Sequence, residues 1–253
     1  DDGASVLTTG FLGTNWQQPA LESTMAKTGP TFLDSNSDSS LARVADPQIA
    51  SAFDSLGRAL TFFRSSTGLV LGFLWQASST AAISTFTTFS GEAAAANTSL
   101  AAAYDGGKTT CVTYESTSQS LFASCVDLTA GLTNPTPTKS KLSAAQVSGH
   151  DLASDGNGHL LVVFNRLDPN GGTPGVYASM GTGGVFDVAP TVIDSSHSAY
   201  YATGAAYEPG ARPGVTYIGS GKFLATWWAY SASLKKAAAF YNIYTMGSGW
   251  ASA

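Results

Sequence analysis

The sequence has few charged residues and no long apolar run. Asp, Glu, Lys and Arg make up 11% of the 253 residues, against about 25% in ordinary globular proteins. The formal net charge is −5, and no basic cluster supplies the positive field that nucleic-acid phosphates require. No apolar run approaches the roughly 18 residues of a membrane-spanning helix. We therefore expect neither a nucleic-acid partner nor membrane insertion.

Cysteine is equally scarce, since the chain has only Cys111 and Cys125. The polar residues 116–120 lie midway between them and predict a hairpin turn that places the two cysteines opposite each other. Facing Cβ atoms in adjacent strands are about 4.5–5.5 Å apart, close to disulfide distance. We predict a cross-strand disulfide and hence a secreted or cell-surface protein. Two buried thiols in one sheet are the alternative.

Sequence motifs for catalysis and for metal binding are missing. The histidines at 150, 159 and 197 have no metal-ligand spacing, and neither a Ser/His/Asp set nor a phosphate-binding loop is present. We expect no cofactor, no metal and no catalytic residue.

The chain begins at Asp1 rather than Met, which indicates a processed or excised piece.

One short unit recurs about every 50 residues. It is a turn that contains glycine, followed by a basic residue and an apolar, mostly aromatic run. The copies are residues 54–58 (DSLGR), 105–108 (DGGK), 155–159 (DGNGH) and 219–222 (GSGK). Their glycines at 57, 107, 158 and 221 are 50, 51 and 63 residues apart. A unit that cannot bury its own faces gains a core by stacking on copies of itself, so a repeat architecture is predicted.

The repeats consist of strand-like runs of about four to eight residues. They are rich in aromatic and β-branched residues and bounded by Gly, Asp, Asn, Ser and Pro. The predicted runs are residues 49–53, 59–63, 69–75, 83–89, 99–104, 109–114, 121–126, 159–164, 175–179, 188–193, 214–218, 223–228 and 237–244. No stretch has convincing helical periodicity, so an all-β fold is expected.

About four hairpin-linked strands every 50 residues resemble the blades of β-propeller repeat proteins in general, over roughly residues 45–250. The resemblance implies one propeller domain over 1–253 with four to five blades; a β-sandwich is the alternative. The repeats are 46–92, 93–142, 143–195 and 196–253, and residues 1–45 form outer strands or a degenerate blade. Residues 5–19 resemble 176–190, which suggests that the C-terminal part supplies inner strands ending at 249–250 while the N-terminus supplies outer ones.

The basic residues of the repeat are the first candidate site. They are Arg58, Lys108, His159 and Lys222. Equivalent positions in a propeller circle one mouth of the central channel, where four such side chains would converge on an anionic ligand. The alternative is that each is an exposed residue next to a turn, which also deters edge pairing.

Aromatic residues late in the second strands are the second candidate site. A flat ring presents an apolar face to a sugar, and nearby polar groups bind its hydroxyls. The candidates are Phe164, Trp227, Trp228 and Tyr230, with the polar residues Asn165, Arg166 and Asp168. Because adjacent residues in a strand face opposite sides, at most one of Trp227 and Trp228 packs into a given layer between blades.

Low charge, a predicted disulfide and the lack of a catalytic motif favour recognition over chemistry. We expect a binding module, for carbohydrate recognition or adhesion, with a glycan or a cell-surface partner. One alternative is a glycoside-active enzyme with channel carboxylates, for which Asp46, Asp151 and Glu208 are candidates. Another is a structural assembly or tip domain, in which lateral surfaces hold a homo-oligomer.

Overall fold

The computed structural model describes residues 11–12, 15–16, 49–65, 67–76, 87–96, 98–129, 136–144, 146–167, 174–195, 212–231 and 236–251. Every regular element within these ranges is a β-strand, and the expected all-β class is confirmed. The first two strands, β1 (Phe11–Leu12) and β2 (Asn15–Trp16), pair with each other in a small antiparallel sheet.

The remaining strands form four antiparallel sheets, numbered here as blades in chain order. Blade 1 contains β3 (Ile49–Phe53), β4 (Arg58–Arg64), β5 (Val70–Gln76) and β6 (Thr87–Thr88). Blade 2 contains β7 (Ala101–Tyr104), β8 (Thr109–Glu115), β9 (Leu121–Asp127) and β10 (Thr138–Ser143).

Blades 3 and 4 repeat this order of strands. Blade 3 contains β11 (Val147–Ser154), β12 (His159–Arg166), β13 (Gly175–Thr182), β14 (Val185–Phe186) and β15 (Thr191–Asp194), the last two both pairing with β13. Blade 4 contains β16 (Gly214–Gly219), β17 (Lys222–Ser231), β18 (Lys236–Thr245) and β19 (Gly249–Trp250).

The blades pack face to face in series. Buried side chains of blades 1 and 2 form one core cluster, those of blades 2 and 3 a second, and those of blades 3 and 4 a third. The first strands of consecutive blades lie side by side, β3 beside β7, β7 beside β11 and β11 beside β16. This radial order is that of a propeller, and it differs from the two stacked layers of a β-sandwich.

Hydrogen bonds also join consecutive blades near their first turns. The backbone N–H of Gly158 in blade 3 donates to the carbonyl of Asp105 in blade 2 (2.6 Å). Gly106 has a φ of +86°, and a Cβ there would overlap the Gly156 carbonyl oxygen. The turn of blade 2 therefore requires glycine at 106 both for its backbone conformation and for this close approach.

The predicted disulfide is confirmed. Cys111 and Cys125 are direct partners in the register of β8 and β9, and their sulfur atoms are bonded. The turn lies at the expected place, since the Ser116 N–H donates to the Ser120 carbonyl (2.9 Å). The bond closes the middle hairpin of blade 2.

The prediction for residues 249–250 is wrong. They form β19 at the outer edge of blade 4, not the end of an inner strand. The chain turns at 246–248, where the Ser248 N–H donates to the Thr245 carbonyl (3.0 Å), and returns along β18. All four strands of blade 4 therefore come from residues 214–250, while the described N-terminal strands pair with each other.

Candidate functional site

Three of the four repeat turns each contain an aspartate whose carboxylate organises the turn. Its Oδ1 atom accepts backbone N–H groups that the turn would otherwise leave without an acceptor. The bonds run from Leu56 and Arg58 to Asp54, from Gly107, Lys108 and Thr109 to Asp105, and from Asn157 and His159 to Asp155. The fourth turn is shorter, because Gly219 and Lys222 pair directly in the register.

Three of the four predicted basic residues pair with an acid. Arg58 Nε lies 2.6 Å from Asp54 Oδ2, and His159 Nδ1 lies 2.8 Å from Asp155 Oδ2. Lys108 precedes β8 by one residue, and its Nζ lies 3.0 Å from Asp127 Oδ2. Lys222 is exposed at the start of β17. The structure therefore places all four at the starts of second strands, where Arg58 and Lys108 form ion pairs and His159 contacts a carboxylate.

These contacts determine how two of the carboxylates titrate. Hydrogen bonds from the Thr129 hydroxyl and N–H, and then from Lys108, lower the pKa of Asp127 to about 2. At Asp155, burial acts to raise the pKa, but hydrogen bonds from Asn157 and His159 outweigh it and the net pKa is lowered. Both groups are therefore ionised at neutral pH, and Asp127 forms an ion pair with Lys108.

Two of the predicted sugar-binding aromatics lie inside the core. Phe164 is fully buried, and Trp227 is 5% exposed with its Nε1 donating to Asp194 Oδ2 (2.7 Å). Trp228 points to the opposite side of β17, as the alternation of a strand requires, and is 47% exposed. Asp168 and the side chain of Tyr230 lie outside the described residues.

The predicted polar residues differ in environment. Asn165 is buried, whereas Arg166 is partly exposed and its guanidinium lies 5.2 Å from the centre of the Tyr177 ring. Among the candidate acids, Asp151 accepts the N–H of Val215 at Oδ2 and that of Leu152 at Oδ1, both at 2.9 Å. Its carboxylate thereby joins blade 3 to blade 4.

The other two candidate acids, Asp46 and Glu208, lie outside the described residues.

A cleft of about 430 Å³ lies between blades 2 and 3, at the opposite ends of the second strands from the aspartate turns. Most of its polar side chains are partly or fully exposed. Its polar lining consists of Glu115, Ser116, Thr117, Gln119, Gln146, Ser148 and Arg212. Its apolar lining consists of Ala95, Ala96, Val147 and Leu167. We call this recess the blade 2–3 cleft.

Backbone hydrogen bonds hold the walls of the blade 2–3 cleft. The Val147 N–H at the start of β11 donates to the Gln119 carbonyl in the β8–β9 turn (3.0 Å). The N–H of Leu167 donates to the carbonyl of Gln146, and that of Ala95 to the carbonyl of Glu115 (2.8 Å each). The cleft is therefore formed by the fold itself before anything binds.

A buried histidine holds the Glu115 carboxylate of the cleft in place. Glu115 Oε1 lies 3.3 Å from Nδ1 of His150, whose side chain is completely buried in β11. The Glu115 side chain keeps 14% of its surface exposed. The contact spans the junction between the blades, so the carboxylate keeps one position while remaining accessible to a ligand.

The cleft lining offers both hydrogen-bond donors and acceptors, and its charged side chains are one acid and one base. Glu115 supplies a fixed acceptor, Arg212 supplies donors, and the amides of Gln119 and Gln146 supply both.

Sequence reasoning missed this site. The lining comes from five separate segments of the chain, so no local motif marks it. Of the predicted site residues Arg166 comes nearest, because it pairs with Val147 in the register and precedes Leu167.

The part of the chain that the structure describes contains no group of three His, Cys, Asp or Glu side chains able to hold a metal ion. Among the same residues, no helix is long and apolar enough to cross a membrane.

No family model and no curated protein sequence matches the chain. Solved structures do match. The BP39L lectin from Burkholderia pseudomallei aligns over 81% of this chain and 54% of its own, with 13% identity and a TM-score of 0.52. The Aleuria aurantia lectin, a six-bladed β-propeller solved with Fucα1-6GlcNAc, aligns over 80% of this chain and 59% of its own, with 14% identity and a TM-score of 0.45.

The catalytic domain of the Coprinopsis cinerea GH62 α-L-arabinofuranosidase also matches, with 12% identity, a TM-score of 0.41, and coverage of 83% of this chain and 68% of that domain. At these identities, the likeness to the BP39L lectin concerns the fold. The β-propeller predicted from the repeats is confirmed. The chain spans little more than half the length of the two lectins.

Proposed function

We propose that the chain is a carbohydrate-recognition module that binds an uncharged glycan in the blade 2–3 cleft. The observation that carries this proposal is the polar lining of the cleft around a recess of about 430 Å³. Carboxylate, amide and hydroxyl groups converge there from blades 2 and 3, and the guanidinium of Arg212 comes from the segment that precedes blade 4. A sugar presents several hydroxyls in fixed directions, each able to donate and accept, and such a mixed set of partners satisfies them.

The size and rigidity of the cleft suit a small part of a glycan. Its volume falls in the range of about 300–1,000 Å³ typical of small-molecule sites. The backbone bond between Val147 and Gln119 and the contact between Glu115 and His150 hold its walls before binding. A preformed site loses less conformational entropy on binding than a loop that must become ordered.

The charges around the cleft favour an uncharged ligand over an anion. Glu115 and Arg212 contribute one charge of each sign to the lining. The basic residues first considered for an anionic ligand begin the second strands, at the other ends from Glu115. Arg58, Lys108 and His159 have acidic partners there. Hydroxyl recognition therefore fits the lining better than phosphate or sulfate recognition.

The fold and the disulfide are consistent with this proposal, but the proposal rests on the cleft. The BP39L lectin shows that a propeller of similar shape serves a lectin, although one fold hosts many functions. The Cys111–Cys125 bond is typical of proteins in an oxidising compartment. The proposed module is therefore a secreted or cell-surface protein that meets its glycan outside the cell.

A glycan array probed with the labelled protein tests the proposal. We expect binding to a group of related glycans, with fucosylated glycans included among those offered. In a Ser148→Trp variant the indole fills the cleft, and the array signal should fall to background. Ser248→Trp introduces the same side chain in the exposed turn of blade 4 and should leave the signal unchanged. An array without any binder, or a signal that survives Ser148→Trp, contradicts the proposal.

A further inference from the structure

One residue that lines the blade 2–3 cleft has an unusual backbone conformation. Of the residues that the structure describes, two that are not glycine have a left-handed φ, Gln119 at +61° and Ser220 at +53°. A Cβ atom is crowded by the backbone at such an angle, so the left-handed region favours glycine. Gln119 is exposed and lines the cleft from the turn between β8 and β9. The fold therefore carries a conformational cost at the proposed binding site.

The same turn of blade 1 has glycine at this position. Residues 65–69 of blade 1 correspond to residues 116–120 of blade 2. In each turn the N–H of the first residue donates to the carbonyl of the last (2.8 and 2.9 Å), and the N–H of the fourth donates to the carbonyl of the first (2.9 and 2.8 Å). The fourth residue is Gly68 in blade 1, with a φ of +83°, and Gln119 in blade 2. Glycine thus suits the backbone of this turn, and blade 2 departs from it.

The two blades also differ in the residue that ends the second strand. Arg64 ends β4 as Glu115 ends β8. Nε of Arg64 donates to the Ala94 carbonyl (3.1 Å), and its Nη2 lies 3.5 Å from the position that a Cβ at residue 68 would take. A side chain at 68 would therefore contact this guanidinium. The corresponding residues of blade 2, Glu115 and Gln119, border an open cleft instead.

We propose that Gln119 binds the glycan directly and determines which arrangement of hydroxyls the cleft accepts, an inference that rests on the proposed function. The side-chain amide of Gln119 makes no hydrogen bond within the described part of the chain, so no internal contact offsets the backbone cost. A primary amide donates through its nitrogen and accepts through its oxygen, and it can bind two neighbouring hydroxyls of a sugar. Residues in sparsely populated backbone conformations cluster at such ligand contacts.

The turn gives this amide the fixed origin that selectivity requires. Two backbone hydrogen bonds close residues 116–120, and the Gln119 carbonyl accepts the N–H of Val147 in blade 3 (3.0 Å). The Cβ of Gln119 therefore leaves the backbone in one direction. A sugar whose hydroxyls are absent or differently placed would leave the desolvated amide unpaired, and the cleft would bind it more weakly.

Replacing Gln119 with glycine separates the backbone cost from the binding role. Gln119→Gly restores the residue that blade 1 has in this turn. The midpoint of urea unfolding should rise, because the relief of the left-handed conformation outweighs the added chain entropy of a glycine. In isothermal titration calorimetry with the strongest glycan from the array, the affinity should fall about fivefold or more, because at least one hydrogen bond to the ligand is lost. A residue with only a structural role would not give this pair of results.

Two further variants are the controls. Ser220→Gly removes the other left-handed residue that is not glycine, in the first turn of blade 4, and should raise the unfolding midpoint without changing the affinity. Gln119→Ala keeps a Cβ at the left-handed φ but removes the amide. It should weaken binding as Gln119→Gly does, with an unfolding midpoint near that of the wild type. On the array, the signal of the strongest glycan relative to its weaker relatives should fall in both Gln119 variants.

A Glu115→Gln variant measured alongside distinguishes failure of this inference from failure of the proposed function. If Glu115→Gln weakens binding while both Gln119 variants bind like the wild type, the cleft is the glycan site and the role of Gln119 is overturned. A lower unfolding midpoint in Gln119→Gly overturns it too, because the glutamine would then stabilise the turn. If the wild type binds no glycan, or if none of the three variants weakens binding, the proposed function fails together with the inference.

Discussion

Nδ1 of His150 lies 3.3 Å from Oε1 of Glu115, across the junction between blades 2 and 3. His150 belongs to the innermost strand of blade 3, and Glu115 is the last residue of the second strand of blade 2. One side chain is completely buried and the other reaches the cleft. The contact therefore links the inter-blade packing to the position of a group that we propose binds sugar.

Removal of the disulfide should lower stability without changing the cleft. The Cys111–Cys125 bond closes a segment with a sequence separation of 14, and a loop of this size contributes about 3 kcal/mol to the free energy of unfolding. The double variant Cys111→Ala/Cys125→Ala should lose about 2–4 kcal/mol in urea unfolding. Glycan binding by the folded variant should persist, because the cysteines lie away from the cleft lining. An unchanged unfolding midpoint would contradict this account of blade 2.

Asp105 should be more important for stability than an exposed turn aspartate. Its Oδ1 accepts three backbone N–H groups, and the residue is 2% exposed. Asp105→Ala leaves these donors without their acceptor and should cost about 2–4 kcal/mol in the free energy of unfolding. Asp187→Ala is the control, since exposed Asp187 accepts a backbone N–H from Ala189 at Oδ1. Equal losses in the two variants would refute the role of Asp105.

The contribution of Asp155 to stability should depend on pH. Its pKa is lower in the folded protein than in the unfolded chain, so the unfolded chain binds a proton first as the pH falls. The stabilisation is therefore complete above the ordinary aspartate pKa of about 3.9 and is lost as the pH decreases through the folded-state value. The difference in unfolding free energy between wild type and Asp155→Asn should shrink below about pH 4. Urea titrations from neutral pH to pH 3 that give a constant difference would disprove this.

The same substitution should destabilise the protein more at Trp227 than at Trp228. Trp227→Phe removes the indole N–H that donates to the buried Asp194 carboxylate (2.7 Å), and should cost about 1.5–3 kcal/mol because the lost bond involves a charged acceptor. Trp228→Phe removes an indole that is 47% exposed and should change unfolding by no more than about 0.5 kcal/mol. Thermal and urea unfolding of the two variants provide the comparison, and a larger loss at Trp228 would reverse the assignment.

The sequence predicts the features of this protein that depend on neighbouring residues. The spacing of Cys111 and Cys125 around a polar turn determines their pairing, and the recurring glycine turns locate the second strand of every blade. Two of the longer strands lie outside the predicted runs because their residues are polar. In β10 (TKSKLS) several side chains reach solvent, and β11 (VSGHDLAS) contains His150 and Asp151, which contact neighbouring blades.

The candidate site was beyond sequence reasoning for a different reason. Glu115, Gln146 and Arg212 line one cleft only because segments of blades 2, 3 and 4 pack together, so nothing in their local sequence indicates a shared cleft. The aromatic residues illustrate the same limit. Strand alternation predicts that Trp227 and Trp228 face opposite sides, but only the packing of blade 4 on blade 3 determines which of them is buried.

The affinity of a Glu115→Gln variant tests the central claim most directly. Using the strongest glycan from the array, isothermal titration calorimetry should show a loss of about tenfold or more, because a charged acceptor to a sugar hydroxyl contributes roughly 1.5–3 kcal/mol. Asp127→Asn makes the same kind of change at the far end of the β8–β9 hairpin and should bind like the wild type. An affinity that Glu115→Gln leaves unchanged would contradict glycan recognition in the blade 2–3 cleft.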